Sequence, residues 1–261
     1  MQGATSSKDE DLKKRTRSSF ASYLKGMARW PYPPEGVPVT SEPEPLPGWR
    51  GLVLRVLSGP WLLTVRILLT RIHMKVQRSR LEPSQGALRI HLGSGEVHLP
   101  EWRNVDLMGS QADFYWDLRR PLPAQPGTAT AVFSEHFLEH LPLPAATAML
   151  RQCHTLMASG AVLRVGVPDF HAYFMDYVEG AGMLERARPE RPTPLIALSE
   201  LVYSYGHSSL WDDVTLCALL EEIGFVSIRV CPFGVSLLDP APDSAFRSEF
   251  GPTLYVEALK S

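Results

Sequence analysis

Residues 88–107 read "LRIHLGSGEVHLPEWRNVDL", from Leu88 to Leu107, and this stretch decides the fold. An apolar run, Leu88–Leu92, ends at Gly93-Ser94-Gly95, as a buried strand ends in a tight turn whose missing side chains let backbone N–H groups approach a ligand. A second short apolar run ends at Asp106, where a carboxylate at the carboxyl end of a strand can accept hydrogen bonds from both hydroxyls of a ribose. Strand, G-x-G turn, strand and terminal acid together predict a nucleoside-binding α/β unit. Only ten residues separate Gly95 from Asp106. That leaves no room for a full helix, so one turn or none is expected between these strands.

Working outward, "ALRIHL", "NVDL", "ADFYWDL", "TAVFS", "VLRVGVP", "FVSIRV" and "TLYVEAL" are seven strand candidates. They alternate with helical patterns at Ala145–Met157 and Asp213–Ile223, the rhythm of a doubly wound, mostly parallel sheet. No internal repeat appears, which excludes a solenoid. The expected organisation is a tail over 1–48, a basic amphipathic helical segment over 49–84, and one α/β domain over 85–261. The tail is rich in proline and poor in large apolar residues, a composition that predicts disorder with a short helix near Ser19–Ala28.

Between Arg50 and Arg80 stand seven Lys or Arg residues and no Asp or Glu. Trp61, Val65, Leu68, Ile72 and Val76 recur at helical spacing after Pro60, while Arg66, Thr70, His73 and Gln77 line another face. Two readings stay open. The apolar stripe packs on the domain or a second subunit, or the helix lies on an anionic membrane surface. A membrane span is not expected, because Arg66 and Arg71 would fall inside the hydrocarbon layer.

The net charge of −2 advertises no nucleic-acid partner. Cys153, Cys217 and Cys231 form no C-x-x-C pair, which argues against a disulfide framework and predicts a reducing, cytoplasmic setting. No secretory pattern stands at the N-terminus. The histidines of "HFLEH", His136 and His140, have the spacing of a zinc-peptidase helix, but no second ligand pattern follows downstream.

These pieces, in this order, resemble class I S-adenosylmethionine-dependent methyltransferases of a compact branch with a short first motif. "LxLGSG" followed by "NVDL", then "DFYWDLRRPLP", "AVFSEHFLEHL", "CHTLMASGAVLRVGVPDF" and "LLEEIGF…TLYVEALK" cover most of residues 87–260. The resemblance implies a Rossmann-like fold closing in a β-hairpin, with S-adenosylmethionine as cofactor. It places Gly93, Ser94, Gly95, Asp106, Leu107, Asp117, Leu118 and Ser134 around that cofactor, and it gives Glu139 and His140 a place in a turn that needs no metal. His136 and His207 are the expected bases for a hydroxyl acceptor, with Asp169 and His171 also on the loop after strand five. An oxygen acceptor is favoured because no N-P-P-Y-like motif and no catalytic cysteine setting appear; the resemblance to this branch suggests a sugar, a glycolipid or another small hydroxyl acceptor. Two competitors remain. One is a methyltransferase-like binding protein with a degenerate cofactor site; the other is a dinucleotide-dependent dehydrogenase, which would want a third glycine and a longer first helix.

Overall fold

The computed structural model describes residues 60–76, 80–83, 86–203, 205–245 and 251–261. The expected tail, its short helix and the first part of the basic segment lie outside the described residues. Two units are distinguished among the described residues, 172–206 and the remainder.

The larger unit is built on a seven-stranded sheet in the order β3-β2-β1-β4-β5-β7-β6. Its strands are β1 (Leu88–Leu92), β2 (Arg103–Asp106), β3 (Phe114–Tyr115), β4 (Ala129–Glu135), β5 (Met157–Pro168), β6 (Phe225–Cys231) and β7 (Thr253–Lys260). The first five run parallel, and β7 lies antiparallel between β5 and β6. The seven expected strands are therefore all present, in a Rossmann-like sheet ending in the expected hairpin. The third is shorter than its apolar run, and the fifth starts earlier, at Met157.

Parallel strands covered on both faces read as continuous apolar runs, and β1 and β4 are buried almost throughout. Helix α2 (Leu143–Leu156) sets Ala146, Met149, Leu150, Cys153 and Leu156 along one stripe into the main core. In the smaller unit, Asp176 accepts hydrogen bonds from Met183 N and Leu184 N, joining α3 (Phe170–Glu179) to α4 (Met183–Ala187); α5 (Pro194–Tyr203) follows. Back in the larger unit, α6 (Asp213–Ile223) is capped by Asp212, whose Oδ1 accepts from Thr215 N at 2.7 Å, and stops at Gly224 with φ of 107°.

Helix α1 (Pro60–Val76) docks the other way round from the expectation that its apolar stripe packs on the domain. Its polar face meets the sheet's carboxyl edge. Arg66 Nε donates to Met108 O at 2.7 Å, Met108 N donates to Thr70 Oγ1 at 2.9 Å, and Arg71 Nε donates to Asp117 Oδ2 at 2.9 Å. Thr70 is fully buried, while Leu68, Ile72 and Val76 are 56%, 51% and 72% exposed. The reason is the surface met. Loops leaving β2 and β3 offer backbone groups and a carboxylate, which need polar partners when covered.

No helix joins β1 to β2. The connection is instead held by Asn104, fully buried on β2. Its Oδ1 accepts from Leu99 N at 3.0 Å and lies 2.9 Å from His91 Nδ1; its Nδ2 donates to Leu99 O at 3.0 Å and Asp113 Oδ2 at 2.8 Å. Asn104→Ala strands several buried polar groups at once and is expected to destabilise the protein by about 3 kcal/mol, at about 1–3 kcal/mol per unsatisfied group. Urea unfolding monitored by fluorescence measures this; a loss below about 1 kcal/mol would show that the loop does not need the amide.

Candidate active site

Strand order reverses at β1 and β4, and in doubly wound sheets ligands bind at the carboxyl edge of such a switch point. Gly93 follows β1 with φ of 67°, and a Cβ there would lie 2.3 Å from Phe137 Cγ. The need for glycine at this position is thus set by a ring of the protein itself. Gly95, with φ of 54°, has no heavy atom within 4 Å of a would-be Cβ, so the open side of the turn is there.

The turn's N–H groups are committed internally. Gly93 N and Ser94 N donate to Val105 O at 2.9 and 3.3 Å, and Gly95 N donates to Asp106 Oδ2 at 2.7 Å. Asp106 Oδ1 accepts from Leu107 N at 2.5 Å. The carboxylate is half-buried, and each oxygen keeps a second lone pair for a further donor.

Asp117 lies two residues beyond β3 and is almost fully buried. Arg119 reaches its carboxylate at 2.8 and 3.0 Å, and Arg71 of α1 at 2.9 Å. Burial alone would raise this carboxyl, but the bonds from Arg119 and Arg71 outweigh it and hold the group below the usual carboxylate range. Leu118 points into the main core. Asp117 is thus tied to α1 and Leu118 to the main core, at the end of β3 where the resemblance places the cofactor.

At the switch point itself, Ser94 and Ser134 are 2% and 1% exposed, and neither hydroxyl has a hydrogen-bond partner among the described residues. Buried hydroxyls normally find partners, so this pair fits a polar ligand lying across β1 and β4. The residues present fit a nucleoside whose ribose sits at Asp106.

After β4 the chain turns sharply at His136, φ 47°, a conformation unusual for a side chain with Cβ and recurrent at functional sites. His136 Nε2 lies 2.9 Å from Thr253 Oγ1. A single 3-10 turn, Leu138–His140, follows rather than an α-helix, so "HFLEH" does not form the helical pair of a zinc peptidase. His207 arrives from a distant segment: Ser208 N and Ser209 N donate to Glu139 O at 2.7 and 3.0 Å, and the His207 ring lies 5.2 Å from that of His140. Asp169 lies between β5 and α3 and His171 in the first turn of α3, the first half-buried and the second exposed.

Sequence reasoning missed one carboxylate here, Glu135, and gave Glu139 only a place in a turn. Glu139 is fully buried against the histidines, and Glu135, 5% exposed at the end of β4, accepts a hydrogen bond from Tyr255 Oη at 2.8 Å. No spacing rule marks Glu135; the only signal is an acid closing an otherwise apolar strand. Burial pushes its carboxyl up to about 7, against the opposing effects of the Tyr255 hydroxyl and His136. A folded-state value above the ordinary 4.5 means that the folded chain binds this proton more tightly. The resulting stability is full below about pH 4.5 and is lost as pH rises through about 7. Glu135→Gln is neutral at every pH and keeps an acceptor for Tyr255. Its stability relative to the parent should rise between pH 5 and pH 8 by up to about 3 kcal/mol. Urea unfolding at both pH values checks this, and parallel pH profiles for the two proteins would refute it.

No protein-family model and no curated sequence matches the chain. Among solved structures it is similar to a SAM dependent methyltransferase from Archaeoglobus fulgidus, at 14% identity and a TM-score of 0.44, over 82% of this chain and 100% of that one. It is also similar to phosphoethanolamine N-methyltransferase 2 of Haemonchus contortus in complex with S-adenosyl-L-methionine, at 11% identity and a TM-score of 0.43, over 77% of this chain and 52% of that one. The CurJ carbon methyltransferase is similar at 15% identity and a TM-score of 0.38, over 75% of this chain and 54% of that one. At these scores the fold rests on the strand order itself. By that order the chain is a Rossmann-like α/β protein, and these solved structures to which it is similar are methyltransferases.

Proposed function

We propose that the chain is an S-adenosylmethionine-dependent methyltransferase acting on a hydroxyl of a sugar or a lipid-linked sugar. The observation that carries this reading is Asp106 closing β2 beside the Gly93–Gly95 turn, at a switch point where the buried Ser94 and Ser134 hydroxyls have no hydrogen-bond partner among the described residues. When bound, S-adenosylmethionine supplies a sulfonium methyl group. Asp106 would hold the ribose, with the Gly93–Gly95 turn, Leu107 and Ser134 lining the rest of the path. Asp117 acts here through α1, which it fastens as a wall of the site. His136 is the first candidate to take the acceptor's proton and His207 the second; both stand at the carboxyl edge, and an imidazole suits proton transfer near neutral pH. Oxygen as acceptor atom follows from the absence of an N-P-P-Y-like motif and of a catalytic cysteine setting.

One observation favours a second reading, a binding protein without turnover: the turn's N–H groups already have acceptors within the chain. Calorimetry with S-adenosylmethionine separates the two. The parent should bind, and Asp106→Ala should lose about 2–4 kcal/mol as two charge-assisted bonds disappear. Because Asp106 also accepts from Gly95 N and Leu107 N, unfolding of the variant without ligand is the control for the fold. Equal affinity in parent and variant, or no binding by the parent, would sink the assignment; binding with no methyl transfer to any glycan or glycolipid would favour the second reading.

We also infer that α1 meets an anionic membrane surface. Its outward Leu68, Leu69, Ile72 and Val76 form an apolar face, beside Lys75 and within a segment carrying seven basic and no acidic residues. No helix among the described residues is long and apolar enough to cross a membrane. A surface helix combines apolar burial with about 1 kcal/mol per basic residue near anionic lipid. Phosphatidylserine vesicles should therefore co-sediment the full chain at low salt, less at high salt, and neutral vesicles should not. Leu68→Asp with Ile72→Asp, both on the exposed face, should abolish sedimentation without unfolding the chain. Indifference to lipid charge or to these substitutions would dispose of the membrane surface in favour of a protein partner.

A further inference from the structure

Glu139 presents a carboxylate with no exposure at all, yet neither of its oxygens accepts a hydrogen bond among the described residues. An ionised group cannot be kept out of water in this way unless positive charge or a metal stands close. What surrounds it is imidazole. His136 Nδ1 lies 3.5 Å and His140 Nε2 3.9 Å from Glu139 Oε1, beyond good hydrogen-bond range. One donor atom each from Glu139, His140 and His207 lies within 4.8 Å of the other two.

The gaps are on the scale of an ion. A tetrahedral zinc about 2.0–2.2 Å from each ligand holds its donors roughly 3.4 Å apart. Rotation of the exposed His140 ring about its side-chain torsions can close the remaining distance. We propose that Glu139, His140 and His207 bind a divalent transition-metal ion, best matched by zinc, with a fourth position open to solvent or to a ligand.

Two imidazoles and one carboxylate are the donor set of open, three-ligand zinc sites; calcium and magnesium prefer oxygen throughout. The framework exists without the ion. Ser208 N and Ser209 N fix the His207 segment to Glu139 O, and buried Trp211 donates its indole N–H to Ser209 Oγ at 3.0 Å. His136, outside the ligand set, faces the same carboxylate oxygen and stands where an outer partner orients a ligand. The spacing "HFLEH" suggests zinc for the wrong reason: His136 and His140 are not the pair, and the third ligand lies far along the chain. An open position at this edge would face an acceptor hydroxyl. That consequence rests on the proposed methyl transfer, whereas ion binding does not.

The test uses the full chain, stripped with a chelator and dialysed against zinc chloride, with bound metal counted by elemental analysis. A cobalt-substituted sample reports tetrahedral geometry by its visible absorption. One ion per chain is expected in the parent, with affinity at least about tenfold lower in His140→Ala and in His207→Ala. Glu139→Gln should lose the ion too. Should that buried change prevent folding, the exposed His140→Ala carries the result. A parent that retains no zinc, or histidine variants that bind zinc as tightly as the parent, would overturn the site. S-adenosylmethionine calorimetry on the same samples keeps the two proposals apart, because cofactor binding without zinc overturns only the metal, and zinc without cofactor binding only the methyltransferase.

Discussion

The side chain of Asn104 is the constraint on which the ligand edge depends. Two parallel neighbours are normally joined by a helix that both crosses the sheet and covers it. Here ten residues from Gly93 to Trp102 make the connection without one. The Asn104 amide supplies the missing fixing points, holding Leu99 at both its N–H and its carbonyl and reaching Asp113 beyond β2. With that loop held, β2 ends in register with β1, Val105 O can receive Gly93 N, and the Asp106 carboxylate arrives at Gly95 N. His91 is part of the same arrangement. It is buried on β1, stacked 5.2 Å from Phe133, with burial lowering its pKa to about 4 despite its hydrogen bond to Asn104. The sheet therefore keeps this imidazole neutral at physiological pH.

The far side of the sheet relies on charge. Arg164, with no exposure, runs from β5 to Asp243 at 2.7 Å and Glu257 at 3.1 Å, and also donates to the carbonyls of Val235 and Pro232. Such a cluster is weak evidence for stability, because desolvation offsets the Coulomb gain, but losing one member leaves the others buried and uncompensated. Its geometry instead specifies which strand the hairpin inserts between, since only the register Arg164 opposite Glu257 pairs the charges. Glu257 remains below the usual carboxylate range. Burial would raise it, and the bonds from Ser236, Arg229 and Leu237 overcome that.

What the sequence revealed and what it hid follow from range. Apolar runs and punctuating glycines are local, so the seven strands, the helical pattern of α6 over Asp213–Ile223, and the lack of a full helix after Gly95 were all legible. Asp106 was legible because its place is defined by the strand that it ends. His207 beside Glu139 was not, since the contact depends on how the segment before α6 folds back along the 3-10 turn. Arg164 stands in the middle of the apolar run "VLRVGVP", and its two acids, Asp243 and Glu257, lie in segments with no pattern in common with it. Helix α1 shows the opposite failure. Its periodicity was clear, but periodicity cannot tell which face is covered when the receiving surface is itself polar.

That reversed helix ties the candidate site to the outside of the molecule. Arg71 spans the boundary: its guanidinium neutralises buried Asp117, while its helix carries Leu68 and Ile72 toward solvent. Moving α1 outward would strip Asp117 of one of two cations and uncover Met108 and the Asp106 loop, whereas holding α1 in place keeps that wall closed. Any ligand that binds the outer face better in one of these positions must shift the other edge by the same free energy, because coupling between two sites is reciprocal. Arg119 limits the size of that coupling, since it keeps Asp117 paired from within its own loop even when Arg71 leaves.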